Sequence, residues 1–168
     1  MTPSQWHDDA RNRDAGHDEM QMAVFDFLRD QPDVSEREIG PLQETYVRNG
    51  VHFEYPFMRD GKILAWGDVV EVWEAKNSSW PEDMYFEIYE IKPKIYSVGA
   101  VVRQCIALEQ AALRCGQFNR STGRRQSVAA TVVPVIGVDD PKLHDLQHVH
   151  YAVAWDGKRL LGMGKRLA

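Results

Sequence analysis

The stretch Met84-Tyr85-Phe86-Glu87-Ile88-Tyr89-Glu90-Ile91-Lys92-Pro93 decides how this chain is read. Its aromatic and β-branched residues suit a strand, and Phe86, Ile88 and Ile91 mark that strand as a central one. Pro93 lacks the N–H that a ladder needs and closes the strand after Lys92. Residues two apart on a strand share a face, so Glu90 and Lys92 project together while Ile91 turns into the core. A carboxylate and an ammonium on one face of a central strand are costly unless they pair with each other or serve a bound ion.

Working outward, Val51, Phe53, Tyr55 and Phe57 alternate with His52 and Glu54, the period of a half-buried strand. Asp60-Gly61 signals a hairpin. The chain returns through Ile63–Trp66, passes Gly67, and runs on as a strand from Asp68 to Trp73. The segment 77–81, Asn-Ser-Ser-Trp-Pro, is a loop, and its Trp80 is weighed for stacking on a base and not chosen as a site residue. Downstream of Pro93, Ser97 reads as an N-cap. Val98, Val101, Val102, Cys105, Ile106, Leu108, Ala112 and Leu113 then form a helical stripe, with Gly116 as the C-cap candidate. Val128–Val138 is β-prone, Pro141–Gln147 reads as a short helix, and Val149–Trp155 alternates again before an Asp156-Gly157 turn and a last short strand.

Toward the N-terminus, Asp18 stands three residues before Gln21, a capping-box spacing. Met20, Val24, Phe27 and Leu28 follow at helical intervals, so a helix is expected to about Arg29, before Pro32. A short strand is expected at Val34–Ile39. Residues 1–16 show no periodicity and are expected to be a disordered tail, leaving 17–168 as one α/β domain. A length of 168 residues suits a single domain, and an apolar fraction of 43% suffices for a core. No apolar run of ~18 residues exists, so no membrane partner is expected. The first residues resemble no signal peptide, which points to a cytoplasmic location. Cys105 and Cys115, about 15 Å apart on one helix, are too distant for a disulfide and suit a reducing compartment.

The strand chemistry suggests a cation. If the Asp68 strand pairs with the Glu90 strand, two carboxylates and the Ile91 backbone carbonyl offer hard oxygen ligands for Mg²⁺ or Mn²⁺. Such an ion activates water and polarises a phosphate, and an adjacent lysine orients the water and offsets developing charge. Arg103 and Gln104 fall on the first turns of the helix that follows.

Gly67-Asp68, then Tyr89-Glu90-Ile91-Lys92-Pro93, then Gly99 followed by Arg103-Gln104, resembles the PD-(D/E)xK nuclease superfamily. The likeness spans roughly Asp18 to Val138. It implies a restriction-endonuclease-like αβββαβ core with a mixed central sheet flanked by helices, and metal-dependent hydrolysis of phosphodiester bonds, expected in DNA. By this resemblance Asp68 and Glu90 are metal ligands, Lys92 is the catalytic lysine and Gln104 supports the site or touches substrate. Glu19 would match the acidic residue of the first helix that adds to the metal site, with Glu38 and Glu44 as competitors. The position before Asp68 is glycine where the family name has proline. The small size suggests a phage or mobile-element protein, or a subunit of a larger nucleic-acid-processing assembly. Two-fold related cuts would need a homodimer.

Net charge is −5, yet the charges are segregated. Residues 1–100 hold 20 acids and 10 Lys/Arg, and residues 101–168 hold 5 acids and 10 Lys/Arg. Arg114, Arg120, Arg124 and Arg125 fall in a stretch without acids and, with Arg103, are candidates to hold the backbone of nucleic acid. The acidic first part also suits a different reading, a non-catalytic protein of nuclease fold that binds nucleic acid or inhibits a partner protein. His144 and His148 have i,i+4 spacing, but 144–150 is expected to pass from helix to strand and so to separate them.

Overall fold

The computed structural model describes residues 16–39, 42–75 and 84–163. The expected tail, apart from Gly16, and the loop carrying Trp80 lie outside the described residues. The chain is an α/β fold built on a mixed sheet. Its strands are β1 (Val34–Ile39), β2 (Leu42–Arg59), β3 (Lys62–Ala75), β4 (Met84–Lys92), β7 (Val128–Gly137), β8 (Val153–Trp155) and β9 (Leu160–Leu161), adjacent in that order. A separate two-stranded ribbon joins β5 (Phe118–Asn119) and β6 (Arg124–Arg125). The pairs from β1 to β4 are antiparallel, β4–β7 and β7–β8 are parallel, and β8–β9 is antiparallel. The parallel step from β4 to β7 requires a crossover, supplied by helix α2 (Val98–Leu113) and the β5–β6 ribbon.

Alternation along β4 sorts the two cores. Phe86 and Ile88 face Val101, Cys105, Leu108 and Ala112 of α2, together with Leu146 of helix α3 (Leu143–Val149). Tyr89 and Ile91 face Met20, Val24 and Leu28 of helix α1 (His17–Arg29), beside Val133, Val135 and Trp155. Each such apolar side chain withdrawn from water contributes about 1.5–3 kcal/mol, so a strand covered on both faces is the firmest part of the molecule. The β2–β3 hairpin turns at Asp60 (φ 50) and Gly61 (φ 76), the left-handed pair that a two-residue I′ turn demands.

Several expectations are corrected. β2 begins at Leu42, well before Val51, because a bulge between Arg48 and Gly50 lets the polar first half stay in register with β3. The capping box does not form: Gly16, at φ 87, is the N-cap of α1 without a side-chain bond, and Gln21 is turned inward. Ser97 does cap α2, accepting from the Ala100 N–H at 3.3 Å. That helix closes on Arg114, not on Gly116. Gly116 is needed for close approach instead, since a β-carbon there would lie 2.3 Å from the Gln126 carbonyl oxygen. α3 extends to Val149, so β8 is shorter than expected. His144 and His148 therefore share one helix and stack edge to face, with ring centroids 4.3 Å apart. No helix among the described residues is long and apolar enough to cross a membrane.

Candidate functional site

The site is made by a seam that opens. β3 pairs with β4 from Glu74↔Met84 to Val69↔Tyr89, and there the ladder ends. β3 continues beside β2 through Gly67, and β4 continues beside β7 through Lys92. The next backbone donor on β4, Ile91 N–H, has lost its strand partner across the seam. A buried N–H must be satisfied, and the Asp68 carboxylate does so, Oδ2 accepting from Ile91 N at 2.8 Å. Gly67 makes this possible: a β-carbon would meet Val70 Cγ2 at 2.6 Å and Ile88 Cγ2 at 3.1 Å, so neither proline nor alanine fits without displacing the core.

Glu90 and Lys92 project from β4 toward the α2 side, as their parity with Phe86 and Ile88 requires. Glu90 is 5% exposed. Its Oε1 accepts from Lys92 Nζ at 3.0 Å and from Gln104 Nε2 of α2 at 2.7 Å. From the other face α1 reaches in with two side chains one turn apart. His17 Nε2 lies 3.3 Å from Asp68 Oδ2, and Gln21 Nε2 donates to the Asp68 carbonyl at 2.9 Å. His17 Nδ1 lies 3.2 Å from Asp18 Oδ1. Carboxylates only accept, so a doubly protonated imidazole satisfies both contacts.

Burial pushes the Glu90 carboxyl up to about 7, and the Asp68 carboxylate adds to the rise; Lys92 and His17 pull the other way without cancelling it. Burial alone would pull Lys92 down, but Glu90 and Asp68 more than offset it and hold the ammonium above the usual lysine value. Behind the pair, burial and then Glu90 push the Cys105 thiol up to about 12, so it is an inert neutral neighbour.

These shifts have a consequence for stability. Glu90 is raised in the fold from 4.5 to about 7. Its contribution is fully present below pH 4.5 and is lost as pH rises through 7, because folding then traps an ionised carboxylate in a dry site. The cation-free protein is therefore expected to lose on the order of 3 kcal/mol between pH 5 and pH 8. Glu90→Gln should flatten that slope, and Mn²⁺ added at pH 8 should restore stability in the wild type alone. Urea midpoints at the two pH values in EDTA check this; a wild-type midpoint that rises from pH 5 to pH 8 would sink it.

The sequence-derived residues divide clearly. Asp68, Glu90, Lys92 and Gln104 converge on the open seam, where Ile91 takes part through its backbone N–H. Arg103 is exposed on the first turns of α2 beside Gln104. Glu19 is exposed, because at 100° per residue it lies almost opposite His17 on α1. Glu38 and Glu44 belong to the β1–β2 hairpin, and their side chains lie outside the described residues. Glu44 is ten residues along β2 from Glu54, beside Asp68 in register, or on the order of 30 Å. Arg114 is ten residues past Gln104, about 15 Å along the α2 axis. Arg120, Arg124 and Arg125 sit on or beside the β5–β6 ribbon, at the Met84 end of β4. The four arginines thus stand apart from the carboxylates. His17 and Gln21 did not emerge as candidates from the sequence. The visible signal was the α1 stripe of Met20, Val24 and Leu28, on whose buried face the polar His17 and Gln21 also fall.

The donor set suits a hard divalent cation: two carboxylates that repel each other, with Asp68 Oδ1 and Glu90 Oε2 outside the bonds described above. Among the described residues no three His, Cys, Asp or Glu side chains form a ready-made metal cluster, so holding an ion would require these side chains to adjust. Comparison of the chain with protein-family models, with curated proteins and with solved structures found no match.

Proposed function

We propose that this protein is a metal-dependent nuclease of PD-(D/E)xK type, hydrolysing phosphodiester bonds in nucleic acid, DNA foremost. One observation carries the reading: His17, Asp68, Glu90, Lys92 and Gln104, drawn from four elements, meet where the β3–β4 seam opens. The order α1, β2–β3–β4, α2, β7 supports a restriction-endonuclease-like αβββαβ core, with β4 and β7 parallel as that core requires.

Asp68 and Glu90 would hold Mg²⁺ or Mn²⁺, which would supply Lewis acidity toward a phosphate oxygen and a more acidic water, while His17 steadies the Asp68 carboxylate from the α1 side. The chain's own residues do the rest. Lys92 orients the attacking water and faces the charge that grows as an oxygen–phosphorus bond forms and the bond to the leaving oxygen breaks. Gln104 fixes Glu90, and Gln21 fixes the backbone at Asp68. Arg103 stands at the rim to meet the adjacent phosphate.

A second reading, a nuclease-fold protein that binds nucleic acid or a partner protein without cutting, is favoured by the direct Lys92–Glu90 pair at 3.0 Å, which engages the lysine with its own carboxylate. The test is a panel of supercoiled plasmid, linear duplex, single strands, branched DNA and RNA, each with Mg²⁺, Mn²⁺ or EDTA, beside Asp68→Ala. Metal-dependent cutting that disappears in Asp68→Ala is expected. A folded wild type that cuts nothing on the panel decides for the second reading.

A further inference from the structure

The β5–β6 ribbon lies outside the chemistry described above. Residues 114–127 contain four arginines and no acid. Arg114 and Arg125 are placed by the fold. Arg114 closes α2, where its charge meets the negative end of the helix. Arg125 donates to the Gly116 carbonyl at 2.7 Å and lies 3.9 Å from Asp60. Arg120 and Arg124 are exposed on the ribbon and its tip. Between them the tip is held by Asn119 Oδ1, which accepts from Ser121 N at 2.9 Å and from Thr122 N at 3.3 Å. The base is closed by Gln126 N donating to Gln117 O at 2.7 Å and by Gly116, which has no room for a β-carbon. These bonds give the ribbon a defined tip and base.

Phe118 is its distinctive residue. The ring is 54% exposed, and the Arg125 guanidinium lies 6.0 Å from its centroid. An aromatic ring presented to solvent on an acid-free, arginine-bearing ribbon is the arrangement by which proteins hold unpaired nucleotides: stacking for the base, guanidinium for the phosphate. β7 starts opposite Met84, six residues along β4 from Glu90, which puts the ribbon about 20 Å from the open seam. That is a span of several nucleotides.

We propose that the β5–β6 ribbon is a holding site for single-stranded nucleic acid, with Phe118 stacking on a base and Arg120 and Arg124 on neighbouring phosphates, several nucleotides from the bond that is cut. The proposal rests on the nuclease reading for its ligand class and narrows that reading to substrates carrying a single-stranded segment. A duplex held only by its backbone would leave Phe118 without a task.

The experiment is binding of fluorescent dT12 and of a 12-base-pair duplex to the full chain in EDTA, so that no step depends on cleavage. Phe118→Ala is expected to weaken dT12 binding about tenfold and duplex binding by less than twofold. Phe118→Tyr keeps the ring and should restore dT12 binding, which separates stacking from a folding defect. Arg120→Ala with Arg124→Ala should lower the salt slope for dT12 by roughly 1.4. Absence of dT12 binding by the wild type, an unchanged affinity in Phe118→Ala, or an equal loss for both ligands would each overturn the proposal. The two readings fail separately. Cutting that survives beside an indifferent Phe118 removes the holding site alone, and Phe118-dependent binding without cutting removes the nuclease reading alone.

Discussion

Lys92→Ala is expected to lower the single-turnover rate of metal-dependent phosphodiester cleavage by about 10²–10⁴-fold, while leaving affinity for uncut nucleic acid within a few fold. The loss follows from the placement of the ammonium. Lys92 lies 3.0 Å from Glu90 Oε1 on a central strand, with its side chain 21% exposed. It is held by β4 and not by a mobile loop, so water cannot reproduce its position. Removing it also removes one of the influences that lower the Glu90 pKa. In metal-free Lys92→Ala the Glu90 carboxyl should therefore rise further. Lys92→Met, which keeps the bulk of the stem, should be as slow as the alanine variant. A rate within threefold of wild type in either variant rules out the proposed role.

How much of this was legible follows the physics of each element. β4 and its neighbour were readable because alternation, Pro93 and the Asp60-Gly61 turn are local signals, and α2 was readable because Ser97 and the stripe behind it are local too. Asp68, Glu90 and Lys92 could be placed together as soon as those strands were taken to pair. What brings His17 in is not local. It depends on the β3–β4 ladder stopping at Val69↔Tyr89, which leaves a gap that α1 can reach across. The arginines show the converse. Their clustering in sequence was plain, but α2 carries the chain about 15 Å away from Gln104 before Arg114 is reached, so charge segregation along the chain did not mean adjacency to the carboxylates. Arg48 was silent for a third reason. It stands in the polar first half of β2, where no pattern distinguishes an inward residue from an outward one.

That silent residue has the largest expected effect on stability. Arg48 is buried, its side chain 2% exposed, and its guanidinium is fully used. Nε donates to Asp33 Oδ1 at 2.8 Å, and Nη1 to the Leu28 carbonyl and to Glu71 Oε2, each at 2.6 Å. Nη2 reaches the Gln31 carbonyl at 2.7 Å and the Arg29 carbonyl at 3.3 Å. These carbonyls belong to the end of α1 and just beyond it, where the helix itself supplies no donors. Glu71, fully buried, receives the Tyr89 hydroxyl on its other oxygen at 2.8 Å. Arg48→Ala would leave a buried carboxylate without its counter-charge and several carbonyls without donors. A loss of 3–5 kcal/mol is expected, a large share of the ~5–15 kcal/mol that holds a domain together. Urea unfolding measures it, and a loss below 1 kcal/mol would refute the account. Glu71→Gln in the Arg48→Ala background should recover part of the loss by removing the stranded charge. It should not recover activity to the same extent. Arg48 secures the end of α1 opposite His17 and Gln21, and a helix released at that end no longer holds them against Asp68. Stability regained without a matching gain in cleavage would separate the two duties of α1: covering one face of the sheet, and bringing an imidazole to the open seam.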